Sequence, residues 1–174
     1  MPAAKQGKSG EAKHDTAKEN EAIAQLTEDH ARVKNLFKEY ERLVQSEAQP
    51  AERQELAMMI CAELTAHSTA EEEIFYPAVR EGIDEEDLVD EALVEHGTAK
   101  DLIVQLQATS PDEDSLYDAK VKVLGEYINH HVREEESEMF PLVRRAKLDT
   151  VMLGEQIAAR KAEVMRELGV EMAE

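Results

Sequence analysis

The chain has 174 residues, enough for one domain with a sizeable core, and is 42% hydrophobic and 34% charged with a formal net charge of −19. Such a polyanion is repelled by phosphate backbones and anionic lipid, which argues against nucleic acid and membrane surfaces as partners. A single cysteine, Cys61, excludes an internal disulfide; with a polar N-terminus and no run approaching about 18 apolar residues, the expectation is a cytoplasmic protein.

Residues 1–18 mix Lys, Ala, Gly, Ser and Glu without apolar periodicity, which predicts a disordered tail and a solvated His14. After a short lead-in over 20–26, Thr27 is the expected N-cap of a first helix. Its apolar positions are Val33, Leu36, Phe37, Tyr40, Leu43 and Val44, and it ends near Ser46. Pro50 suits the start of a second helix, which runs through Leu56, Met59, Ile60, Leu64 and His67 until Pro77 breaks or kinks it. Cys61 lies in this run and reads as a buried, inert thiol.

Asp84 is the expected cap of a third helix carrying Leu88, Ala92, His96, Ala99 and Ile103. Ser110, Pro111 and Glu113 resemble a capping box that opens a fourth. The fourth helix carries Leu116, Val123, Leu124, Tyr127 and His131 and ends towards Pro141. Asp149 caps a fifth helix with Val151, Met152, Ile157, Val164 and Leu168, stopped by Gly169. That helix either packs across the others or forms a dimer seam. Short connections favour an up-down-up-down bundle. The domain plan is a tail over 1–18, a four-helix bundle over 19–146 and a C-terminal helix over 147–174.

One pattern is written twice. His67-Ser-Thr-Ala-Glu71, ending in Phe-Tyr-Pro77, recurs as His131-Val-Arg-Glu-Glu135, ending in Met-Phe-Pro141. Each His-x-x-x-Glu puts an imidazole and a carboxylate on one helix face, about 6 Å apart along the axis. An earlier histidine precedes each copy: His30 lies 66 residues before His96, and His67 lies 64 before His131. Four histidines and two glutamates on inward faces make a nitrogen/oxygen set suited to iron, manganese or zinc. Buried carboxylates otherwise need a counter-charge. The spacings to Glu135 and Pro141 select His131 over its neighbour His130, which is left an orienting or surface role. Glu72, Glu73, Glu134, Glu136 and Glu138 read as a solvated face, with room for one of them to orient a histidine. Tyr40, Tyr76 and Tyr127 read as core or boundary residues.

The residues His30, His67 with Glu71, His96, and His131 with Glu135, together with both aromatic-Pro endings, resemble the hemerythrin-like family, the HHE cation-binding domain. The resemblance covers roughly residues 20–145. It implies a four-helix bundle with two non-haem iron ions, each held by two histidines and bridged by Glu71, Glu135 and a solvent-derived oxo or hydroxo group. Iron is the resemblance's choice; the ligand types alone leave manganese and zinc open. The family's oxygen carriers have His-x-x-x-His on the third helix, whereas His96 is followed at that spacing by Lys100, which points away from reversible oxygen carriage.

The function expected is the handling of a small oxidant or gas (hydrogen peroxide, oxygen or nitric oxide), with peroxide decomposition the enzymatic form. The alternatives are a module that binds or senses oxygen, nitric oxide or iron without turnover, and a metal-free structural bundle. The protein is expected to be a monomer or homodimer.

Overall fold

The computed structural model describes residues 21–170, so the tail and His14 lie outside the described residues. Helix α1 spans Ala22–Gln45, and the Glu21 carboxylate accepts from the Ala24 N–H at 3.0 Å. It therefore starts ahead of Thr27, the expected cap. Ala22, Ile23 and Leu26 are at most 3% exposed, and this burial extends the helix beyond the start that capping residues alone suggested.

Helix α2 spans Pro50–Ala70, with proline in its first turn and the Glu52 carboxylate accepting from the Gln49 N–H at 3.1 Å. Pro77 does not break this rod. The chain passes through one π-helical turn, Glu71–Phe75, in which the Tyr76 N–H donates to the Glu71 carbonyl, and continues as α3, Tyr76–Gly82. Proline lacks an N–H and crowds the carbonyl four residues back; a widened turn just before it relieves both. Helix α4 spans Glu86–Gln107, opening after Glu85 rather than Asp84, with no side chain capping it.

Helix α5 spans Tyr117–Glu134, several residues later than the expected start at Ser110. The Ser110 hydroxyl donates to the Glu113 carboxylate at 3.1 Å, and Asp114 accepts from the Leu116 N–H at 2.8 Å. These local bonds close turns instead of capping a helix. The later start also moves the buried stripe to Tyr117, Val121, Leu124 and His131, leaving Leu116, Val123 and Tyr127 exposed. A second π turn, Glu135–Met139, precedes Pro141, and α6 follows over Phe140–Ala146. Helix α7 spans Thr150–Glu167; Asp149 accepts from the Met152 N–H at 3.0 Å, and Gly169 beyond its end has φ +72°.

Helices α1, α2, α4 and α5 pack as a closed ring, each against two neighbours, while α7 lies across α1, α2 and the first π turn. The fifth helix thus packs across the bundle. It presents Leu153, Ile157, Val164 and Met165 inward and leaves Val151, Met152 and Leu168 exposed. The apolar core is divided. A small cluster joins Ala62 and Ala66 of α2 to Val164 and Met165 of α7; of the two large ones, one includes Leu26, Phe75, Tyr76, Val89, Phe140 and Ile157, and the other includes Val33, Ile60, Cys61, Ile103 and Leu124. The expected site residues fall between these clusters on every rod. Cys61 is fully buried, and burial pushes its thiol up to about 12, as an inert thiol requires. Among the described residues no helix is long and apolar enough to cross a membrane.

If α7 is part of the core, Ile157→Ala should cost about 2–5 kcal/mol in denaturant unfolding. Exposed Val104→Ala should stay within about 0.5 kcal/mol. Equal, small effects would show that α7 contributes no core packing.

Candidate metal centre

All six expected side chains meet in the layer between the two large apolar clusters. His30 comes from α1, His67 from the end of α2 and Glu71 from the first residue of its π turn. His96 comes from α4, His131 from the end of α5 and Glu135 from the first residue of the second π turn. None is more than 6% exposed. Their inward atoms form two groups, His30–His67–Glu71–Glu135 and Glu71–His96–His131, within each of which the candidate ligand atoms lie within 4.8 Å of one another.

Each imidazole is oriented in the same way. Nδ1 meets a carboxylate: Glu136 for His30 at 2.9 Å, Asp29 for His67 at 3.1 Å, Glu72 for His96 at 2.9 Å and Glu95 for His131 at 2.8 Å. An ionised carboxylate only accepts, so Nδ1 carries the proton and Nε2 turns its lone pair inward. The four inward Nε2 atoms then face acceptors. His30 Nε2 is 3.2 Å from Glu135 Oε2, and His67 Nε2 is 3.1 Å from Glu71 Oε1, yet none of these four buried atoms makes a hydrogen bond. His96 Nε2 and His131 Nε2 sit 3.1 Å apart. Lone pairs aimed at one another in a dry layer repel unless a cation lies between them. The donor set of neutral imidazoles and carboxylates, each imidazole backed by a carboxylate, fits a transition-metal ion. Glu71 offers Oε1 to His67 and Oε2, at 3.3 Å, to His96, so it faces both groups. Glu135 Oε2 lies between His30 and His131, the latter at 3.6 Å.

The electrostatics agree. Burial favours a neutral His67, but the Glu71 charge and the Asp29 hydrogen bond outweigh it and push the group up to about 10. Burial opposes the Glu71 charge, yet the facing imidazoles of His67 and His96 hold it well below the usual carboxylate range. Burial also opposes a charged His131, and its bond to Glu95 with the nearby Glu135 raises it nonetheless. In the absence of metal, a proton takes the cation's place.

Tyr76 joins the second group. Its hydroxyl donates to Glu135 Oε1 at 3.0 Å and Glu71 Oε2 at 3.3 Å, and lies 3.3 Å from His96 Nε2. Burial and both carboxylates drive its pKa well above the ordinary value, so it keeps its proton. Its counterpart in the other copy is Phe140, which stacks on His30 with ring centroids 5.9 Å apart. Tyr76 and Phe140 close corresponding copies of the repeat, and the one hydroxyl between them is the sequence signal that marks Tyr76.

The orienting carboxylates were only partly anticipated. Glu72 and Glu136 belonged to the expected solvated face, from which Glu73, Glu134 and Glu138 do remain outward. Asp29 and Glu95 directly precede His30 and His96 in the chain. Their signal is positional: each orienting group either precedes a histidine of the first pair or follows a glutamate of the second. His130 is 59% exposed and pairs with Glu134 at 3.1 Å. Lys100 is half-exposed, and its ammonium is held by both oxygens of Glu72 at 2.7 and 2.6 Å.

A family model for the hemerythrin HHE cation-binding domain matches residues 21–143. A protein of Nostoc sp. named a DNA nickase is 34% identical over 143 residues, which cover 81% of this chain but 39% of that protein. The chain thus spans about two fifths of that curated relative. A crystal structure of a hemerythrin HHE cation-binding domain-containing protein from Mycobacterium kansasii superposes with a TM-score of 0.68 at 27% identity, covering 84% of this chain and 88% of that one.

Two outcomes follow. His67→Ala and His131→Ala should each sharply reduce metal content measured after desalting, whereas His130→Ala should not; the reverse pattern would place the site on the outer face of α5. His67 at about 10, raised from an unfolded 6.5, contributes stability fully present below pH 6.5 and lost as pH rises through 10. At pH 7 the metal-free chain therefore holds a proton there. Zn(II) added in weak buffer should release protons to an indicator dye, and uptake should weaken as pH falls. Metal uptake without proton release would contradict this.

Proposed function

Because the chain belongs to the hemerythrin HHE cation-binding domain family, we propose that it holds two iron ions and handles a small oxidant or gas, with hydrogen peroxide the foremost substrate. The observation that carries this reading is the set of four buried, unpartnered atoms: His30 Nε2, His67 Nε2, Glu71 Oε1 and Glu135 Oε2. His30 and His67 would hold one ion, His96 and His131 the other, with Glu71 and Glu135 shared. Bound iron would supply one-electron steps and open coordination positions to a small ligand.

The surrounding residues set what can arrive. A cavity of about 20 Å³ beside the centre is lined by Val33, Leu64, Ala99, Ile103 and Ile128 as well as the histidines. A single water needs roughly 10–15 Å³ on the same measure, so the space suits molecules of a few atoms. Its apolar wall limits water around the site. Tyr76 holds a proton at its hydroxyl between the two shared carboxylates, where a reduced oxygen species would need one. Lys100 lines the same cavity, but its ammonium is engaged by Glu72, so it adds no ligand. With Lys100 where the oxygen carriers have a further histidine, one neutral imidazole is lost while both anionic carboxylates remain; bound iron would then favour the ferric state, which supports peroxide reactivity over reversible oxygen carriage.

DNA nicking, the activity named for the Nostoc relative, fits this chain poorly. A phosphodiester cannot enter a cavity of this size, and a net charge of −19 repels it. We place the activity in the cytoplasm, in a monomer or homodimer.

Iron-reconstituted, desalted protein should carry about two iron ions per chain and consume added hydrogen peroxide, with both properties failing in His67→Ala. Iron content near zero would remove the metal reading. Full iron content with nitric oxide or oxygen binding and no peroxide consumption would assign a binding module instead.

A further inference from the structure

The two halves of the centre repeat each other down to their orienting carboxylates, with one exception. Glu95, Glu72 and Glu136 have side chains 23%, 24% and 40% exposed, so water solvates their charge. Asp29, the acceptor for His67, is 3% exposed. Helix α7 covers it, and that helix supplies Lys161, itself 15% exposed, whose ammonium contacts both Asp29 oxygens. Arg32 also approaches Asp29, at 3.5 Å, but it is 42% exposed and pairs with Glu63 as well. In the other half, the corresponding Glu95 has, besides His131, the exposed His130 at 3.5 Å and, among the described residues, no Lys or Arg in ion-pair contact.

A buried carboxylate without a counter-charge is costly. It relieves that cost by turning towards water, and for Asp29 this means leaving His67 Nδ1. Lys161 removes the need to turn. We infer that the C-terminal helix is a working part of the metal centre: Lys161 fixes Asp29, Asp29 fixes the His67 ring, and the His30–His67 half is thereby made the tighter of the two metal sites. Lys161 is a positioning residue, two contacts removed from any ion. The inference rests on the metal-binding reading above.

Arg160 provides the internal control. It adjoins Lys161 on α7 and also ties that helix to the first π turn, through Glu73 at 2.6 Å, but among the described residues Glu73 pairs with Arg160 and with no histidine. The test is a stepwise Co(II) titration of the full metal-free chain, followed by absorption and by the exchangeable Nδ1–H resonances of the Co(II)-loaded protein. Wild-type protein should bind two Co(II) in resolved steps and show four slowly exchanging imidazole protons. Lys161→Met should weaken one step on the order of 10–100-fold, the range seen when orienting partners are lost, and speed the exchange of one imidazole proton. Arg160→Met should change neither, and Lys161→Arg should restore both.

Two unchanged steps in Lys161→Met, or the same loss in Arg160→Met, would overturn the inference. Should Lys161→Met fail to fold, Lys161→Arg alone decides: unresolved, equal steps in that folded variant would likewise overturn it if wild type shows resolved ones. A wild-type chain that takes up no Co(II) would instead remove the metal reading, a distinguishable failure.

Discussion

Everything in this fold answers to one electrostatic constraint. Four imidazole nitrogens and two carboxylates converge where water is excluded, and as lone-pair donors they repel one another until a cation joins them. The orienting carboxylates make that constraint strict. By accepting the Nδ1 protons they commit every Nε2 to the interior. The proton that Glu71 and Asp29 hold on His67 in the metal-free chain is a substitute of the same sign.

The bundle is built around that layer. The large apolar clusters lie above and below it, so each rod must carry aliphatic residues, then histidine or glutamate, then aliphatic residues again. The π turns at Glu71 and Glu135 sit where the ligands and the prolines meet. Each widens the helix by one residue beside the site and allows the rod to continue as α3 or α6 past its proline. Helix α7 then covers Asp29 on one side of the layer, whereas the corresponding Glu95 is 23% exposed. A sequence duplication thus yields two clusters with similar donors and unequal surroundings. Tyr76 against Phe140 adds a second inequality inside the centre.

The clustering of these histidines and glutamates was legible because it rests on spacings that a helix converts directly into shared faces. His67 with Glu71, and His131 with Glu135, needed only the four-residue rule, and the repeat supplied His30 and His96. The fifth helix was legible in its Asp149 cap and Gly169 stop. What was not legible depended on tertiary context. The early start of α1 follows from burial of Ala22 and Leu26, and the late start of α5 from local bonds of Ser110 and Asp114 that close turns. The stripe of α5 shifted with that start, so Val123 and Tyr127 proved exposed. Pro77 and Pro141 announce a disruption, but only the structure shows that a π turn absorbs it. Asp29 and Lys161 lie 132 residues apart in a contact no local pattern encodes.

The most direct test of this account is a crystal structure of the iron-loaded chain with anomalous diffraction at the iron edge. Two peaks should lie in the polar layer. One should be bounded by His30 and His67, the other by His96 and His131, with Glu71 and Glu135 between them. A single peak, or density at Glu95, His130 and Glu134 on the outer face of the bundle, would contradict it.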